Sequence, residues 1–136
     1  LESGDVEVPA WCSAYPTGAG RGDQYARMAW LGPKGTVTPC HRDPYHNAFA
    51  QVTGAKHFLL FAPSDERLLY PSQDPLQPNS SRVDVEAPDL EAFPHFSEAT
   101  PFEATLEAGD LLYIPRRWWH HVRSLSRSTS VTFWWL

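Results

Sequence analysis

The sequence predicts an all-β domain with a few minor short helices, built as a double-sheet jelly roll. Three observations carry this reading. Eight short segments are rich in aromatic, β-branched and aliphatic residues. Thirteen prolines are spread over 136 residues, close to twice the ordinary frequency of about 5%, which leaves little room for long helices. One long, less regular stretch lies in mid-chain, and many short strands with a single extended connection suit two opposed sheets with a cavity between them.

The first strand is expected over 25–31, stopped by Gly32-Pro33. The second, over 36–40, is β-branched but interrupted by Pro39, which makes its side-chain alternation doubtful. In the third, over 47–53, Asn47, Phe49 and Gln51 share a face, a polar row better suited to a cavity wall than to a dry core. The fourth, over 57–62, is the most apolar, and Lys56 precedes it on the face of Phe58 and Leu60. Between 63 and 101 the pattern weakens into a Pro-rich excursion with one- or two-turn helices expected at 64–69 and 88–93. Phe102 to Glu107 alternates apolar and polar and runs into the turn signal Gly109-Asp110. A strand over 111–114 stops at Pro115, a seventh covers 118–124, and an eighth covers 129–135.

The length suits one domain, residues 1–136, and 42% hydrophobic residues suffice for one core. No apolar run approaches the roughly 18 residues of a membrane span. A net charge of −5 with scattered arginines lacks the electrostatic footprint of a nucleic-acid binder, so neither membrane nor direct nucleic-acid partners are expected. Cys12 and Cys40 allow at most one disulfide, too few for a stapled secreted scaffold. The chain opens without an initiator Met or a targeting peptide, so it is expected to be the C-terminal part of a longer, intracellular protein of nucleus and/or cytoplasm.

His41-Arg42-Asp43 places two metal-ligating side chains two residues apart, on one face of an extended segment. The second half of the constellation is Gly109 to Val122, a turn, a strand, a Pro stop and a strand bearing histidine. Strand alternation separates Trp118, His120 and Val122 from Trp119, His121 and Arg123, and the face with Arg123 is expected to be solvated. His120 is therefore the expected third ligand, with His121 behind it or at the surface. Two histidines and a carboxylate form the facial triad of non-haem Fe(II) oxygenases. An inward Lys56 requires an anion, which a carboxylate-bearing co-substrate would supply, unless it reaches water from the strand end. A zinc site using the Cys40 thiolate is the weaker alternative, because Cys40 would point away from His41. His46, His57 and His95 complete no better triplet.

Trp30-Leu31-Gly32-Pro33, Thr38 to Pro44, Gln51 to Lys56, Leu69-Tyr70-Pro71, Gly109 to Pro115, Trp118-Trp119-His120 and Ser130 to Trp135 together resemble the JmjC-domain Fe(II)- and 2-oxoglutarate-dependent oxygenases, in their small protein arginyl hydroxylase branch. The resemblance covers nearly the whole chain. It implies a cupin-like double-stranded β-helix, N-terminally truncated here. It also implies iron held by His41, Asp43 and His120, and 2-oxoglutarate contacted by Thr38, Asn47 and Lys56. Trp30 and Trp134 would flank the substrate side chain, where indoles stack on a guanidinium. The implied reaction is O2-dependent hydroxylation of a protein side chain, arginine first, with succinate and CO2 as co-products. Histone lysine demethylation through N-methyl hydroxylation is the sister outcome, and a non-catalytic peptide-binding module is the alternative of a different class. The expected partner is a protein or peptide presenting arginine or methyl-lysine.

Overall fold

A computed structural model describes residues 24–136; Cys12 and the expectations attached to the start of the chain lie outside the described residues. The strands are β1 (Gln24–Gly32), β2 (Val37–Arg42), β3 (His46–Thr53), β4 (Lys56–Phe61), β5 (Phe102–Leu106), β6 (Leu111–Ile114), β7 (Trp119–Ser124) and β8 (Ser128–Trp135). Every bound falls within two residues of the expected one. They form two four-stranded antiparallel sheets, ordered β1-β8-β3-β6 and β2-β7-β4-β5, the interleaved order of a jelly roll. Gly109 (φ +100) and Gly54 (φ +71) occupy left-handed positions in the β5–β6 and β3–β4 turns. At Gly54 a Cβ would lie 2.2 Å from the Arg127 carbonyl oxygen, so only glycine fits.

The helical expectations hold less well. The first contracts to a single 3-10 turn at Pro63–Asp65. The second, at 88–93, is not a helix. There the Asp89 carboxylate accepts the Glu91 and Ala92 amides at 3.0 and 3.1 Å, closing a side-chain-capped turn. The Phe93 amide closes the turn on the Asp89 carbonyl at 2.8 Å, and a helix forms only afterwards, at Pro94–Glu98, where the missing proline N–H costs nothing at the first position.

Between the sheets, Phe49, Phe58, Leu60, Leu106, Ile114 and Val122 form a dry core, with Phe49 and Phe58 packed edge to face. A second cluster, Cys40, Leu59, Phe61, Leu69, Val85 and Trp119, lies on the opposite face of the β2-β7-β4-β5 sheet, beneath the mid-chain excursion. Moving each such side chain out of water contributes roughly 1.5–3 kcal/mol. Residues of the excursion also cover the edge of β2. The Ser81 amide donates to the Cys40 carbonyl, and Arg42 and Asn79 exchange backbone and side-chain bonds. An otherwise open strand edge is thereby paired.

That cover corrects one expectation. The face of β7 carrying Trp119, His121 and Arg123 is solvated only at Arg123: Trp119 is fully buried and His121 is 3% exposed. The excursion supplies Glu86, whose carboxylate takes two bonds from the Arg123 guanidinium and lies 3.6 Å from His121 Nε2. The other face, with His120, is the one turned to the cavity, and the solvation of Arg123's side is not what distinguishes the two.

Candidate metal centre

β2 and β7 are neighbours, and their register sets His41 directly opposite His120, with ring centroids 4.3 Å apart. Asp43 follows the last residue of β2 and turns back over the same point. Its Oδ2 lies 3.9 Å from His41 Nε2 and 3.8 Å from His120 Nε2. The three donor atoms lie within 4.8 Å of one another, the only such group of three or more among the described residues.

The tautomers are fixed locally. His41 Nδ1 donates to the Pro39 carbonyl at 2.9 Å, and His120 Nδ1 to the Trp118 carbonyl at 3.2 Å. Each Nε2 is thus the ring nitrogen turned to the cavity, as ligation there requires. Burial and the neighbouring His41 push His120 down to about 3, so its imidazole is neutral. Burial holds the Asp43 carboxyl above its usual range, with His41 opposing. Asp43 Oδ2 is buried and has no hydrogen-bond partner. An orphaned carboxylate oxygen facing two imidazole Nε2 atoms is the donor set that a divalent cation satisfies, so these residues fit an iron ion.

A cavity of about 70 Å3 opens to solvent around this point. Thr38, Asn47, Lys56, Trp30 and Trp134 all line it, together with the three candidate ligands. Thr38 reaches it by an irregularity: the β2–β7 register shifts between Thr38 and His41, and this bulge puts two residues three apart on one face. Lys56 is 8% exposed, its ammonium lies 5.2 Å from the Phe49 ring centroid, and no carboxylate pairs with it among the described residues. Burial pulls its pKa down. Asn47 Oδ1 is likewise buried without a partner. Trp30 Nε1 donates to Thr132 Oγ1 at 3.1 Å, and the Trp134 ring stacks on Tyr45 at 6.0 Å.

Thr132 is a lining residue that the sequence reading missed, although it shares a strand face with Trp134. Gln51, placed by alternation on the cavity wall, is instead held by Ser130 and the Thr53 carbonyl. Cys40 faces away into the outer cluster, with its thiol pushed up to about 12 by burial. Iodoacetamide labelling followed by peptide mass spectrometry is expected to leave Cys40 unmodified in the native protein and modified in denaturant. Native-state labelling would contradict the burial. His46 lies against Trp135 and Tyr113, His57 near Glu103 and His95 beside Glu98, all outside the cavity. No described helix is long and apolar enough to cross a membrane.

Comparison with known proteins agrees with this geometry. A family model described as a cupin-like domain matches residues 5–136. Lysine-specific demethylase 8 of Danio rerio is 47% identical over 131 residues, covering 96% of this chain and 32% of its own length. Lysine-specific demethylase JMJ30 of Arabidopsis thaliana is 44% identical over 131 residues, covering 96% of this chain and 29% of its own. The chain therefore spans about a third of the length of these curated relatives. The solved structure of YcfD, a ribosomal oxygenase from Escherichia coli, shares 17% identity over 81% of this chain and 22% of its own. Its TM-score of 0.51 is a likeness of fold alone.

Proposed function

We propose a function from one premise: the chain belongs to the cupin-like JmjC domain family. On that footing it is the catalytic domain of an Fe(II)- and 2-oxoglutarate-dependent dioxygenase that hydroxylates a protein side chain, arginine first. The observation that carries this reading is the coincidence, in one cavity, of the orphaned Asp43 oxygen, two imidazoles with free Nε2 atoms and the unpaired ammonium of Lys56. An iron ion and 2-oxoglutarate bound there supply oxidising power, with succinate and CO2 as co-products.

The chain's own residues do the rest. His41, Asp43 and His120 hold the metal. Lys56 takes the distal carboxylate of the oxo-acid deep between the sheets, with the Thr38 hydroxyl and the Asn47 amide beside it. Phe49 and Val122 keep that pocket dry, which strengthens the charge pairing. Trp30 and Trp134 flank the mouth and hold a cationic target side chain by stacking, at about 0.5–2 kcal/mol per contact.

A second reading, demethylation of methyl-lysine, is favoured by the names of the relatives from Danio rerio and Arabidopsis thaliana. The test incubates the full-length protein with Fe(II), 2-oxoglutarate and either an arginine or a methyl-lysine peptide. A peptide gaining one oxygen with matching succinate supports hydroxylation, and formaldehyde release supports demethylation. Specific metal uptake without succinate in either arm would leave a binding module.

A further inference from the structure

Beside the metal centre, and sharing Asp43 with it as a wall, lies a second, open cleft lined by Arg42, Asp43, Pro44, Asn79, Arg116 and Arg117. On a chain of net charge −5, three of the eleven basic residues meet here. Arg42 is neutralised, paired to Glu66 at 2.5 Å and lying over Trp119. Arg116 and Arg117 are exposed and have no carboxylate partner among the described residues.

Arg117 is also in an unfavourable conformation. It occupies the third position of the turn closed by the Trp118 amide on the Pro115 carbonyl, with φ +67. Glycine is the residue that this position favours, and a long side chain there is strained. The backbone has its own task, because the Arg117 N–H donates to the Asp43 carbonyl at 2.8 Å, and glycine would do that equally well. The fold therefore accounts for the main chain at 117 but not for the guanidinium.

The geometry points to an acidic-peptide docking surface: Arg116 and Arg117 receive Asp or Glu carboxylates that flank the target residue of the protein substrate. This rests on the oxygenase reading above and adds to it the charge of the sequence around the target. The like charge of the two arginines also repels a cationic target side chain from this cleft, which leaves the indole-lined mouth as its resting place. Two free guanidiniums on an acidic chain are too few for a nucleic-acid backbone, which takes several phosphate contacts.

The experiment measures binding of two short peptides to the metal-loaded full-length protein by fluorescence anisotropy at low salt. Both carry a central arginine, one flanked by glutamates and the other by glutamines. The glutamate peptide is expected to bind about 10-fold tighter, as two exposed ion pairs of up to ~1 kcal/mol each allow. That advantage is expected to disappear in 0.5 M NaCl and in an Arg116→Gln/Arg117→Gly double variant. The single variant Arg117→Gly is expected to keep or raise the melting temperature, because it relieves the left-handed strain. Equal affinity for the two peptides, or an advantage that survives the double variant, overturns the proposal. So does a fall in melting temperature for Arg117→Gly, which would give the side chain a structural task. Tighter binding of a single-stranded oligonucleotide with the same arginine dependence would replace the acidic peptide with a phosphate backbone. Failure of the oxygenase reading is separable: a glutamate preference without succinate formation leaves the docking surface standing, whereas turnover without the preference removes the surface alone.

Discussion

Replacing Lys56 with methionine is expected to stabilise the empty fold while removing capture of 2-oxoglutarate. The ammonium is buried against Phe49 and lacks a carboxylate partner among the described residues, so a flexible apolar chain of similar length should raise stability by about 1–2 kcal/mol. The same substitution takes away the cation for the distal carboxylate. Losing one member of a buried charge pair costs about 2–5 kcal/mol, so 2-oxoglutarate should bind the metal-loaded variant at least ~30-fold more weakly by calorimetry. Undiminished affinity would remove Lys56 from the co-substrate site. The pH dependence has a fixed sign. The folded-state pKa lies below the ordinary 10.5, so between the two values the unfolded chain binds more protons and stability rises with pH. The stability gap between wild type and the methionine variant, read from urea midpoints, should narrow as pH climbs towards 10.5. A gap independent of pH would mean that the amine is hydrated in the folded state.

Asp43→Ala is expected to separate folding from function even more sharply. Its Oδ2 is buried without a donor, so at neutral pH the ionised carboxylate opposes folding of the metal-free protein. Burial raises its folded-state pKa, and that penalty is therefore relieved as pH falls through the folded value. The metal-free variant should melt no lower than wild type. Added Mn(II), a spectroscopic substitute for iron, should shift the melting temperature of wild type and leave the variant unmoved. Removing an outer hydrogen-bond partner of a metal site costs 10–100-fold in affinity, so loss of a direct ligand should exceed ~100-fold. A variant that still binds one Mn(II) with wild-type affinity would show that the centre is elsewhere.

The strands were legible because the signals that define them are local: alternation in Phe102 to Glu107, β-branched and aromatic runs, and turns marked by Gly54 and Gly109. The same period of two separated His120 from His121, but the choice between their faces rested on a solvated Arg123 side that the excursion largely covers. What stayed hidden depends on partners distant in sequence. The burial of His121 requires Glu86 and its neighbours to fold back over β7, and nothing in 118–124 announces that cover. Thr38 faces the cavity only because a bulge absorbs one residue, and Pro39 hinted at irregularity without giving its parity. The turn at Asp89 carries the same local signal as a helix start, because aspartate caps both structures with the same side-chain oxygen. The contrast between Arg116 and Arg117 and the neutralised Arg42 needs Glu66 to be placed before it can be seen.

Each candidate ligand imidazole is steered by a carbonyl two residues back in the chain, from Pro39 for His41 and from Trp118 for His120. Ring orientation is thus encoded within a tripeptide and not borrowed from a remote side chain. Each ring is already turned before any ion arrives, so coordination would sacrifice less torsional freedom. A substitution elsewhere in the sheet can then reshape the cavity wall without touching either of these two bonds.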